Sequence, residues 1–153
     1  MNLSEAAQLI RSTARRMDAV CGETVFDEFG IVERAGERHN LCWYSGARRQ
    51  EYIQAFGRDT ALLREESLSR FSNRYEIGDF EFAQDGIGPQ SEAFVVVGDE
   101  LYLLCTNTLK SMAEISANPR WLEAQSAFVE MSERFRSNPL RVDPATPRQH
   151  IPV

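Results

Sequence analysis

The fold is decided by residues 94–135, which read FVVVGDELYLLCTNTLKSMAEISANPRWLEAQSAFVEMSERF. The first part contains two nearly continuous apolar runs, at 94–97 and 101–105, and Gly98-Asp99 between them is a tight-turn signal. A strand with one solvent-exposed face would alternate apolar and polar residues. These two strands are therefore expected to form a hairpin in a sheet that is covered on both faces.

The second part predicts a short helical turn followed by a long amphipathic helix. Ser111 and Glu114 match a capping box, which opens the short turn. Asn118-Pro119 predicts the start of the long helix, with Asn118 as the cap and Pro119 as its first residue. Apolar residues then recur every three or four positions, at Trp121, Ala124, Phe128, Met131 and Phe135. This stripe must be buried, and the hairpin is the nearest surface for it.

The rest of the chain predicts five further segments. Residues 3–20 indicate a helix with Ser4 as a candidate N-cap and Gly22 as its stop, and residues 25–32 and 41–44 indicate a hairpin. Residues 50–71 indicate a helix, although 50–56 suits a strand as well, and residues 75–82 indicate a strand. The predicted order is helix, two strands, helix, three strands, helix. A domain over 1–138 and a proline-rich, flexible tail over 139–153 complete this prediction.

Composition limits the function. A chain of 153 residues suits one domain, and the net charge of −6 argues against nucleic acid as a partner because phosphate binding needs a basic surface. No apolar segment has the length of a signal peptide core or of a membrane span, so we expect a cytoplasmic protein without membrane contact. The three cysteines, Cys21, Cys42 and Cys105, lack metal-site spacing and are expected to be reduced and buried.

The sequence contains no catalytic motif. The two histidines, His39 and His150, lie in a predicted turn and in the tail, where neither has the surroundings of a catalytic base. We therefore predict no catalytic residues, no metal site and no cofactor. Arg48 and Arg49 are candidate anion-binding residues, because a guanidinium group binds phosphate or carboxylate through two hydrogen bonds.

The element order resembles that of the roadblock/LC7 domain, one of the profilin-like and longin-like small sandwiches. The last strand and final helix of that domain also resemble residues 98–135, GDELYLLCTNTLKSMAEISANPRWLEAQSAFVEMSERF. The resemblance implies an α+β fold, a single-domain α/β/α sandwich with a five-stranded antiparallel sheet in the order α-β-β-α-β-β-β-α. It also implies a homodimer without enzymatic activity, formed through the 50–71 helix and the 75–82 strand. In size, acidity and coarse architecture the chain also resembles the small dimeric chaperones of bacterial type III secretion.

The leading hypothesis is a non-enzymatic protein-interaction module of adaptor or regulatory type, which binds itself and an unidentified protein. Aromatic side chains are enriched at interfaces, and together with the middle helix they suggest as contact residues Trp43, Tyr44, Tyr52, Phe56 and Leu63. The alternative is a small-molecule sensor with an anion at Arg48 or Arg49. An inward polar group on an apolar strand would favour the sensor, and Cys42 and Thr106 are the candidates.

The dimer hypothesis predicts that a charge at the middle helix separates the two copies. Tyr52→Arg or Phe56→Asp should convert a dimer into a folded monomer, because a buried unpaired charge at an interface is costly. The solution mass from light scattering checks this, with circular dichroism to confirm folding. An unchanged mass in a folded variant excludes this surface.

Overall fold

The computed structural model describes residues 1–36, 38–46, 80–85, 90–107, 109–146 and 149–150. Within these ranges the chain has an α+β fold in which three helices accompany an antiparallel sheet. The helices are α1 (Leu3–Cys21), α2 (Met112–Ser116) and α3 (Trp121–Ser137). No helix in the described part of the chain combines the length and apolar character needed to cross a membrane.

Helix α1 begins with a capping box at Asn2. The Asn2 side chain accepts a hydrogen bond from the Glu5 backbone N–H, and the Glu5 carboxylate accepts one from the Asn2 N–H, both at 2.9 Å. The prediction that Ser4 caps this helix is therefore wrong, because Asn2 is the N-cap and pairs reciprocally with Glu5. Gly22 ends the helix as predicted, in the left-handed conformation at φ 67° that glycine adopts without strain.

The short helix α2 starts at the predicted capping box of Ser111 and Glu114. Helix α3 starts at Trp121, two residues beyond the predicted first residue Pro119. Asn118 still shapes this end of the chain, since its side-chain oxygen accepts a hydrogen bond from the Arg120 N–H at 3.0 Å. The five apolar residues of the predicted α3 stripe are all buried, which confirms the helical pattern.

Six strands form one sheet in the order β3-β4-β5-β1-β2-β6, and all adjacent pairs are antiparallel. The strands are β1 (Glu28–Ala35), β2 (Arg38–Gly46), β3 (Phe80–Asp85), β4 (Gln90–Gly98), β5 (Leu101–Asn107) and β6 (Gln149–His150). Both predicted hairpins, β1–β2 and β4–β5, are present. The register of β1 against β2 shifts between Ile31 and Val32, which marks a bulge.

One face of the sheet, here called the first face, packs against the helices. Successive strand residues point to opposite sides, so this face is formed by Ile31, Ala93, Val95, Leu103 and Cys105, each at most 1% exposed. They belong to one core cluster with side chains of α1, α2 and α3. The rings of Phe26 and Phe128 meet in this core, with centroids 6.0 Å apart.

The opposite side, here called the second face, is buried as well. It carries Val32, Phe94, Val96, Tyr102 and Leu104, none of which is more than 8% exposed. Every residue of β5 is buried. The prediction that β4 and β5 lie in a sheet covered on both faces is therefore confirmed for the described side chains.

The predicted five-stranded sandwich in the order α-β-β-α-β-β-β-α is wrong. The described sheet has a sixth strand, the two-residue β6, which pairs with Asn40 and Leu41 at the edge of β2. A segment this short has no periodicity to detect, because its assignment depends on pairing with a distant part of the chain. The predicted order also lacks the short helix α2. The described helices all contribute to the core on the first face.

Part of the predicted order lies outside the described residues. This applies to the 50–71 helix, to the alternative strand at 50–56, and to the first half of the 75–82 strand. The strand that the structure describes in this region, β3, runs from Phe80 to Asp85.

The segment after α3 is joined to the sheet. The Leu140 N–H donates to the Val97 carbonyl at 2.7 Å, and the Leu140 side chain is 1% exposed. Gly98 permits this approach, because a Cβ at that position would lie 2.3 Å from the Leu140 carbonyl oxygen. Residue 140 therefore packs with the domain core, two residues beyond the predicted domain end.

Leu140→Ala should lower the free energy of unfolding by about 2–5 kcal/mol, because it removes a fully buried side chain. Leu122→Ala is the matched control, since Leu122 on α3 is 77% exposed, and should change stability by at most about 0.5 kcal/mol. Urea denaturation measures both values. Equal effects of the two substitutions would contradict the docking of residue 140.

Candidate functional site

The two aromatic residues proposed for an interface on β2 point to opposite faces of the sheet. Trp43 is paired with Ile31 and packs on the first-face core, with the Arg11 guanidinium 5.5 Å from its ring centroid. Tyr44 is paired with Gly30 and points to the second face. The pleat therefore prevents these neighbours from forming one continuous surface. The other proposed contact and anion-binding residues lie outside the described ranges, namely Tyr52, Phe56, Leu63, Arg48 and Arg49.

The two inward polar candidates also separate. Cys42 is buried in the first-face core, and its Sγ lies 3.9 Å from the Asn40 carbonyl oxygen. Thr106 lies in the register position opposite Glu28, whose side chain shares the second face with Tyr44. Both Thr106 and Glu28 are 0% exposed. Of the two candidates, Thr106 is the one that stands beside other polar side chains.

Glu28, Tyr44 and Thr106 form what we call the polar cluster. The Tyr44 hydroxyl donates to Glu28 Oε2 at 3.0 Å. Glu28 and Thr106 are directly opposed on β1 and β5, a geometry that brings Cβ atoms to about 5 Å. Local sequence does not mark Glu28 as a site residue, because it is a single acid among apolar residues at the start of a strand.

Gly46 makes room for this arrangement. It is paired with Glu28 on the second face, and the Tyr44 side chain extends over it. A Cβ on Gly46 would lie 2.4 Å from Tyr44 Oη and 2.9 Å from Glu28 Cγ. A side chain at position 46 would therefore displace the Tyr44 hydroxyl or the Glu28 side chain, and glycine leaves the hydroxyl free to reach the carboxylate.

The polar cluster is expensive to bury. Removing a carboxylate from water costs several kcal/mol unless hydrogen bonds compensate, and a hydrogen bond to a charged group returns only about 1.5–3 kcal/mol. Among the described residues, no hydrogen-bond partner reaches the fully buried Thr106 Oγ1. A buried hydroxyl without a partner costs about 1–3 kcal/mol. Such a group calls for an explanation beyond stability.

Most of the other described side chains on the second face are apolar. Next to the polar cluster lie Val32, Phe94, Val96 and Leu104, and Gly30 stands between Glu28 and Val32 on the same side of β1. At the far end Arg34 forms an ion pair with Glu100, with Nε and Oε2 2.6 Å apart, and its guanidinium lies 6.0 Å from the Tyr102 ring centroid. Among the described side chains, the second face thus has an apolar middle, polar groups near Glu28 and the Arg34–Glu100 ion pair at the other end.

A furrow of about 550 Å³ runs between α1 and α3. The Arg16–Glu130 ion pair spans it, with both side chains more than half exposed. This pair raises the pKa of Arg16 and lowers the pKa of Glu130. Exposed ion pairs of this kind contribute little to stability. Among the described residues that line the furrow, none has a buried polar atom without a hydrogen-bond partner, as Thr106 does in the polar cluster.

Two of the described thiols, those of Cys21 and Cys105, are poor nucleophiles. Burial raises the pKa of Cys105, and burial followed by the charges of Glu23 and Asp18 raises the pKa of Cys21. The thiol forms therefore predominate at neutral pH. Across the described ranges, no group of three or more His, Cys, Asp and Glu residues could hold a metal ion.

Comparison with known proteins identifies no family. No protein-family model matches the chain, and no curated protein matches it. A protein described as an IclR-family transcriptional regulator from Rhodococcus sp. is 10% identical with a TM-score of 0.43, and the match covers 87% of this chain and 63% of that one. An IclR transcriptional regulator from Alicyclobacillus acidocaldarius is 12% identical with a TM-score of 0.41, covering 86% and 67%.

The C-terminal domain of a protein described as a transcriptional regulator from Vibrio cholerae is 10% identical with a TM-score of 0.40, covering 83% of this chain and 94% of that one. TM-scores this low establish neither a shared fold nor a shared function. A function of the polar cluster is therefore inferred only from the geometry of its own residues.

Tyr44→Phe should lower the free energy of unfolding by about 1–3 kcal/mol, because the buried Glu28 carboxylate loses a donor. In a Glu28→Leu background, which has no acceptor, the same substitution should cost less than about 0.5 kcal/mol. Chemical denaturation of the four variants gives the coupling energy. An equal cost in both backgrounds would show that the Tyr44 hydroxyl acts elsewhere.

Proposed function

We propose that this chain is a non-enzymatic small-molecule-binding domain, and that its ligand binds at the polar cluster against the second face of the sheet. The observation that carries this proposal is the Thr106 hydroxyl, which is fully buried and has no hydrogen-bond partner in the described part of the chain. A ligand that pairs with this group would recover the free energy lost on its burial.

The surroundings support this position. Both faces of the sheet are buried, and the first face shares its core with α1, α2 and α3. On the second face Gly30 lies beside Glu28 without a side chain, and a glycine inside a strand often marks the close approach of a ligand or another backbone. Ligand sites are commonly apolar with a few convergent polar groups, and the described side chains of the second face have this composition.

The protein-interaction function and the homodimer stay predictions. Three of the five proposed contact residues, Tyr52, Phe56 and Leu63, lie outside the described ranges. Trp43 and Tyr44 are used on opposite faces of the sheet. A binding domain of this kind can also be dimeric, so the two properties are compatible.

Thr106→Val tests the proposal, because it exchanges the hydroxyl for a methyl group of the same shape. In the free protein it should raise the free energy of unfolding by up to about 1 kcal/mol, since an unsatisfied hydroxyl is removed. Ligand affinity should fall about five- to tenfold, which corresponds to one lost hydrogen bond. A purely structural hydroxyl would instead give a loss of stability.

Native mass spectrometry of the protein purified gently from its own host provides the binding readout. We expect a small-molecule adduct on the wild type that is depleted on Thr106→Val. The control is Thr13→Val, another buried threonine, which lies on α1 at the furrow and should retain the adduct. Absence of any adduct on the wild type, or equal adducts on both variants, would contradict the proposed site.

A further inference from the structure

We propose a second binding site, in which a cavity between α1 and α3 takes a small oxyanion, a phosphate or a dicarboxylate, between Arg15 and Arg134. The cavity has a volume of about 610 Å³ and adjoins the furrow of the Arg16–Glu130 pair. This volume is in the range of small-molecule sites. Both helices pack on the first face, so this site lies across the sheet from the polar cluster and is independent of the ligand proposed there.

Two different helices bring the arginines to one cavity. On α1 the lining residues recur every three or four positions, at Glu5, Gln8, Ser12 and Arg15, and therefore lie along one side of the helix. Arg134 lines the cavity from α3. Both arginines are exposed, so an anion can reach their guanidinium groups from solvent.

Neither of these arginines is neutralised by a described residue. Arg16, the neighbour of Arg15, is paired with Glu130, whereas no described side chain forms an ion pair or a hydrogen bond with the guanidinium of Arg15 or Arg134. The one carboxylate that lines the cavity, Glu5, accepts a hydrogen bond from the Asn2 N–H in the capping box of α1. The lining side chains thus carry an excess of positive charge, in a chain whose net charge is −6.

The chemistry of guanidinium groups indicates the class of ligand. A guanidinium group is always charged, and its planar set of N–H donors matches a carboxylate or a phosphate through two hydrogen bonds. An oxyanion between Arg15 and Arg134 would also reduce the repulsion between these two cations. The Gln8 amide, which lines the same cavity, adds a neutral donor. Chloride has no pair of acceptor atoms, so we expect it to bind more weakly.

NMR titration of the full chain tests this site with two probes, inorganic phosphate and succinate. Two-dimensional ¹H–¹⁵N spectra at pH 7 follow the arginine Nε–H signals, with the ionic strength held constant by sodium chloride. We expect saturable shifts at Arg15 and Arg134 with a dissociation constant on the order of 1 mM. Arg15→Gln and Arg134→Gln should each raise this constant about five- to tenfold, because each removes a charged donor.

Two variants serve as controls. Arg136→Gln removes the same charge from the same last turn of α3, but Arg136 does not line the cavity, so this variant should bind phosphate as the wild type does. It also accounts for any effect of an arginine on the carbonyl end of the helix. Thr106→Val alters the polar cluster across the sheet and should likewise leave phosphate binding unchanged.

Each outcome of the titration decides the proposal. Saturable binding of either probe that weakens in Arg15→Gln and Arg134→Gln, and not in Arg136→Gln, supports the site, and the tighter probe identifies the preferred oxyanion. Absence of saturable shifts with both probes overturns it. An equal loss in Arg136→Gln also overturns it, because the response would then follow net charge. A loss in Thr106→Val would assign the anion to the polar cluster instead.

Discussion

Strand β5 has no exposed residue, and the rest of the structure depends on this two-sided burial. The strand pairs with β4 on one side and β1 on the other, so its backbone groups are used in the sheet. Its alternate side chains must then be covered from both directions. On the first face the stripe of α3 and the buried side of α1 provide that cover.

The same burial explains why a polar residue near the end of β5 matters. Thr106 continues the alternation of Tyr102 and Leu104 on the second face, so its hydroxyl is buried on that face. Glu28 is opposite, and Tyr44 reaches it across Gly46. Three polar groups are thus held where water is excluded, and rigid strands hold them in position. If the proposed ligand binds here, these groups need little rearrangement to receive it.

Hydrogen bonds connect the segment after α3 to the sheet and to the start of the chain. Residues after α3 return to β4, where Leu140 bonds to the Val97 carbonyl and Gly98 admits its backbone. The Arg141 N–H donates to the Met1 carbonyl at 2.9 Å, which links this segment to the start of α1. The interpretation of residues 139–153 as a separate tail rested on proline content, which carries no information about these distant bonds.

Local sequence identified most described elements and the burial of their side chains. The α3 stripe, the Gly22 stop and both hairpins follow from periodicity, capping and turn chemistry, which are properties of residues close together in the chain. The strand β6 and the neighbourhood of Glu28, Tyr44 and Thr106 do not follow from them. Their positions depend on strand order and on a register in which a shift of one residue would exchange the two faces. That register is set by hydrogen bonds between segments far apart in sequence, and for this reason the candidate site became visible only in the folded chain.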